Sequence, residues 1–84
     1  MDEQDSIDRI IEKIGKDEPL DTAEMSEIIN QLSKDALEYI LTLLLNRREE
    51  ISNGNEYQQK KLETCKSNIK YIGDIIGERE GDAR

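Results

Sequence analysis

Isoleucine and leucine recur in this chain at steps of three and four residues. Ile7, Ile10, Ile11 and Ile14 fall at i, i+3, i+4 and i+7, and Met25, Ile28, Ile29 and Leu32 repeat the spacing. Such a stripe lies along one side of a helix, whereas a half-buried strand needs apolar residues at every second position. Leu37, Ile40, Leu41 and Leu44 form a third stripe, and Ala36, Tyr39 and Leu43 add a second apolar side to the same segment, as a central helix requires. Leu62, Cys65, Ile69, Ile72 and Ile76 alternate steps of three and four, the spacing of a coiled-coil seam. No stretch alternates at period two, so the expected class is all-α.

Capping and turn residues divide these stripes into four helices. The first is expected over about 6–15, capped by Asp5 or Ser6 and ended by Gly15 in a left-handed conformation. Residues 16–19 form a connector, since Pro19 cannot continue a helix built before it. The second helix, about 22–32, opens at Asp21 with Glu24 three residues on, a capping-box-like pair, and Leu20 and Met25 form a hydrophobic staple. Ser33 is a plausible new cap, with Leu32 and Leu37 as a second staple; whether the second and third helices are separate there stays open. The third helix is expected over about 34–51. Ser52-Asn53-Gly54-Asn55 is the strongest turn signal, with Asn53 or Gly54 suited to a left-handed cap and Asn55 to the next N-cap. The fourth helix follows over about 56–76, closed by Gly77, with a frayed tail over 78–84. Folding the chain about Asn53-Gly54 brings Leu62 level with Leu45, Cys65 with Thr42 and Leu41, Ile69 with Leu37 and Ile40, and Ile72 with Ala36. The expectation is a small helical bundle, a single domain over 1–77. It is built on a long antiparallel helical hairpin with two shorter N-terminal helices.

Composition excludes several functions. Among 84 residues there is one cysteine and no histidine, so a disulfide framework, a His-containing zinc site and a His-dependent triad are ruled out. The longest apolar run is Leu43-Leu44-Leu45, far short of the roughly 18 residues of a membrane span. The acidic start, Met1 to Asp5, reads as neither signal nor transit peptide, and a cytoplasmic location is expected. Cys65 sits on a seam with no base to activate it and reads as a buried, inert thiol. No metal, cofactor or enzymatic activity is expected.

Charge offers the remaining signals. Residues 1–40 carry 4 Lys/Arg against 12 Asp/Glu, and residues 41–84 carry 8 of each, so the whole net charge of −8 lies in the N-terminal half. Asp5, Asp8 and Glu12 share one side of the first helix, with Glu24 and Glu27 outward on the second, forming a candidate face for a basic protein partner. The plainer reading is a solvated polar face with acidic residues near helix starts. Arg47, Arg48, Lys60 and Lys61 come to one height in the folded hairpin, a candidate anion site for a phosphorylated ligand or nucleotide. Local pairing with nearby glutamates is the plainer reading there. Tyr57, Tyr71 and Ile75 mark a second stripe on the fourth helix, with Thr64 and Asn68 between them, and make it a candidate homodimer interface. The first helix could cover the same stripe within one chain. The leading expectation is a non-enzymatic interaction module, an inhibitor or adaptor. Acidic bundles of this size occur among immunity proteins, antitoxins and phage-encoded inhibitors, an analogy of size and charge that no residue motif carries. The alternatives are the anion binder and a nucleic-acid mimic built on the acidic half; direct nucleic-acid binding is not expected of so acidic a chain.

Overall fold

A computed structural model describes residues 2–54 and 58–82. They form α1 (Glu3–Gly15), α2 (Ala23–Asn30), α3 (Lys34–Ser52) and α4 (Gln59–Asp82), with no strand among the described residues. The chain is a small all-α bundle in which the two long C-terminal helices pack closely.

The first three helices each begin where a short polar side chain can satisfy the first free N–H groups. At α1 that residue is Asp2, whose carboxylate accepts from the Gln4 N–H at 2.9 Å. The helix therefore starts before the expected Asp5 or Ser6, and Ser6 is buried in the helix wall instead. At α2 the cap is Thr22, accepting from the Met25 N–H at 3.2 Å. This is one residue past Asp21, and it removes the Asp21–Glu24 capping-box pairing. Ser33 caps α3 through the Ala36 N–H at 3.2 Å, so α2 and α3 are separate helices. Leu32 and Leu37 flank that cap and are both buried, as a hydrophobic staple requires.

The expected left-handed glycine ends are absent: the only described residue with positive φ is Asp17, at 57°. Aspartate tolerates that region better than most residues, and the reversal after α1 is made there, two residues past Gly15. Asn53 ends α3 with φ of −87°, and Gly54 contributes space, since a Cβ there would come within 3.2 Å of the Ile51 carbonyl oxygen. The predicted cap at Asn55 and start at Glu56 lie outside the described residues.

Long-range hydrogen bonds fix the register of the whole bundle. Glu3 reaches Ser33, and Asp17 is held by Arg47, each exactly the same 30 residues apart. α1 thus runs parallel to α3. Asn68 bonds to the Leu20 N–H and Arg79 to the Asn30 carbonyl, 48 and 49 residues apart, so the second segment runs parallel to α4. The Cys65 thiol donates to the Leu44 carbonyl at 3.3 Å and Lys34 pairs with Glu80, two contacts that together set α3 and α4 antiparallel. The four helices therefore alternate in direction along the chain. That thiol contact displaces the hairpin by about two residues from the expected register, in which Cys65 lay against Thr42 and Leu41.

The core is one cluster that includes Ile10, Leu20, Met25, Ile29, Leu37, Ile40, Leu44 and Ile72. With the register displaced, the deepest positions of α4 are Cys65, Asn68 and Ile72, while Leu62 and Ile69 of the predicted seam are only partly buried. α4 also runs past Gly77 to Asp82, through residues expected to fray. Arg79 donates to the carbonyls of Asn30 and Leu32, and Lys34 pairs with Glu80 at 3.1 Å. These contacts hold the last turns against the cost of an interior glycine, about 1 kcal/mol.

Candidate functional site

The connector between α1 and α2 is built around one carboxylate. Asp17 accepts from Arg47 Nε at 2.9 Å and from Nη2 at 2.7 Å, a two-pronged pair, and its side chain is 7% exposed. Arg47 also donates to Glu50 at 3.2 Å, and the Lys61 ammonium lies 3.8 Å from Asp17. The hydrogen bonds from Arg47 hold the Asp17 carboxyl below its usual range, against the upward push of burial. The same bond raises Arg47 above its already high value. Asn68, 3% exposed, pins the connector from beneath: its Oδ1 accepts from the Leu20 N–H at 2.9 Å and its Nδ2 donates to the Glu18 carbonyl at 3.1 Å.

This arrangement redraws the predicted anion cluster. Arg47 is committed to Asp17 and Glu50. Beside that pair, Lys60, Lys61 and Thr64 of α4 meet Lys16 and Asp17 around a cavity of about 320 Å³, whose lining includes neither Arg47 nor Arg48. The Lys16 ammonium reaches back to Glu12 at 3.0 Å, which raises the lysine and lowers the glutamate. Of the local glutamate pairings that were the plainer expectation (Glu49, Glu50, Glu56 and Glu63), the one with Glu50 is made by Arg47, whose stronger partner, Asp17, lies 30 residues away; Glu56 lies outside the described residues.

On the acidic side, Asp5, Asp8, Glu24 and Glu27 are exposed on two neighbouring helices. Asp8 accepts from the Gln4 side chain at 3.0 Å. Glu12, expected on the same face, is drawn to Lys16. The second stripe of α4 has neighbours within the chain: Tyr71 and Ile75 pack against the core cluster, Asn68 holds the connector, and Tyr57 lies outside the described residues. Cys65 is buried, and burial, aided by the charge of Asp17, pushes its thiol pKa up.

Among the described residues no group of three or more Cys, Asp or Glu is placed to hold a metal ion, and no helix is long and apolar enough to cross a membrane. Sequence reasoning missed Asp17, Lys16, Asn68 and Thr64 as parts of one locale. Asn68 carried a usable signal, a polar residue at the step between Cys65 and Ile72 where a seam residue belongs. Asp17 carried a weaker one, an aspartate in a short connector that must reverse direction. Comparison with protein-family models, curated proteins and solved structures returns no match.

Proposed function

We propose that this chain is a non-enzymatic interaction module that docks on a basic protein partner through the outward sides of α1 and α2. One contrast supports the reading. Acidic residues with structural partners are spent within the fold: Asp17 on Arg47, Glu18 on Lys13, Glu12 on Lys16, Glu3 on Ser33. Asp5, Asp8, Glu24 and Glu27 are exposed and form no ion pair among the described residues. Unpaired like charges raise the field outside the protein, which speeds encounter with a cationic surface and disfavours an anionic one. An inhibitor or adaptor needs no more than this: a rigid small scaffold and a charged docking side. The test begins with recovery of a partner from the native host by affinity capture and mass spectrometry. Its association is then measured against ionic strength, and against a variant with Asp5, Asp8, Glu24 and Glu27 all changed to Lys. The expected result is an on-rate at least about tenfold lower in the variant, with an unchanged helical spectrum. Equal rates, or rates insensitive to salt, defeat the acidic face.

A further inference from the structure

We propose that the cavity between the end of α1 and the start of α4 binds a small phosphate-bearing anion. Its walls bring together the ammonium-bearing side chains of Lys16, Lys60 and Lys61, with Thr64 and Asp17 completing the lining. Lys16 and Lys60 come from segments 44 positions apart in the chain, so the three lysines line one concavity only because the bundle closes. Like charges around one concavity repel, and an anion between them relieves that repulsion. The volume, about 320 Å³, lies at the small end of ligand clefts and suits a phosphate or a compact phosphomonoester rather than a nucleotide.

The carboxylate in the wall does not oppose such a ligand. Asp17 accepts both bonds from Arg47 and its side chain is nearly buried, so the guanidinium offsets its charge. Arg47 thereby serves the site indirectly: it fixes the carboxylate that in turn places Lys61, 3.8 Å away. The Lys16–Glu12 pair is an exposed i, i+4 contact, weak enough to open when a doubly charged ligand competes for the ammonium. In a chain of net charge −8, a concavity lined by three lysines and one carboxylate offers an anion local attraction against the field of the whole.

The test is an NMR titration of amide shifts at constant ionic strength, with chloride replaced in one arm by inorganic phosphate and in another by glycerol phosphate. The expected result is saturable shifts centred on residues 16–17 and 60–64. Tighter binding of glycerol phosphate would identify an organic phosphate as the ligand, and equal binding would identify the phosphate group alone. Lys60→Gln should weaken binding about tenfold or more, and Lys66→Gln, outside the cavity lining, should leave it unchanged. Lys61 touches the Asp17 pair, so Lys61→Gln is read only alongside its circular dichroism and Lys60→Gln carries the decision. Linear shifts spread over Lys66 and Lys70 as well, or full affinity in Lys60→Gln, would overturn the site.

Discussion

Asp17 joins three demands at one position: a left-handed backbone, a buried carboxylate and an ion pair across the bundle. Asn tolerates the same backbone, so Asp17→Asn isolates the charge. The loss of charge-assisted hydrogen bonding should cost about 1–3 kcal/mol at pH 7. The pH dependence has a fixed sign. The carboxyl is held below its unfolded value of about 3.9. Its stabilisation is therefore complete above that pH and is lost as pH falls through the folded value. Urea denaturation at several pH values should show wild type and variant converging below about pH 4; a constant gap would mean the ion pair contributes nothing. Asn68→Leu makes a second test, because it keeps the branching and the number of heavy atoms and removes both bonds. Leaving the Leu20 N–H and the Glu18 carbonyl without partners should cost about 2–4 kcal/mol, whereas a merely apolar position would gain from leucine. Neither residue was legible as a pair from sequence. Asn68 was read as one step in a weak stripe because periodicity reports which side faces inward, and not whether a polar group there has a partner 50 residues away.

At the level of helices, sequence and structure agree where apolar spacing decides and differ where capping decides. The α3 limits are matched within a residue, because Ser33 combines a cap with flanking leucines. The start of α1, the cap of α2 and the end of α4 were each misplaced, because adjacent polar residues offer nearly equal caps and tertiary contacts choose between them. Gly77 is the clearest case. As an isolated signal it ends a helix; in the bundle, Arg79 satisfies the last carbonyls of the α2 turn and makes helix the better state for residues beyond Gly77. Arg79→Ala should therefore loosen two elements at once. Hydrogen exchange should speed up at residues 77–82 and at the α2–α3 junction, with about 1–2 kcal/mol of global destabilisation. Faster exchange in α4 alone would separate the two. Core truncations should rank by the observed burial rather than the predicted seam: Ile72→Ala about 2–5 kcal/mol, and Ile69→Ala, now at a half-covered position, distinctly less.

The molecule as a whole was legible in its class and in its hairpin, and less so in how the N-terminal half attaches. Two short amphipathic helices can lie on a hairpin in several ways. Their direction is settled by Glu3–Ser33, Asp17–Arg47 and Asn68 with its connector, contacts between residues that no local pattern links. Tyr71 and Ile75 already pack against the core of their own chain while staying partly exposed, which lessens the burial a second copy would add and makes the monomer the state to test. Sedimentation equilibrium at tens of micromolar should accordingly give a single species at 9.7 kDa, and a doubled mass would show that another surface drives pairing. The alternating helix directions carry one more consequence. Glu3 at one end of the chain and Arg79 and Glu80 near the other all bind the same few residues, 30–34. The start of α1 and the last turns of α4 thus arrive at one pole of the bundle, and the end of α3 and the start of α4 lie toward the opposite one. A short glycine-serine bridge can join α4 to α1 while the chain is reopened between α3 and α4. The circularly permuted protein should keep its helical spectrum, since the order in which the four helices are threaded matters less to this bundle than the contacts gathered at its junction.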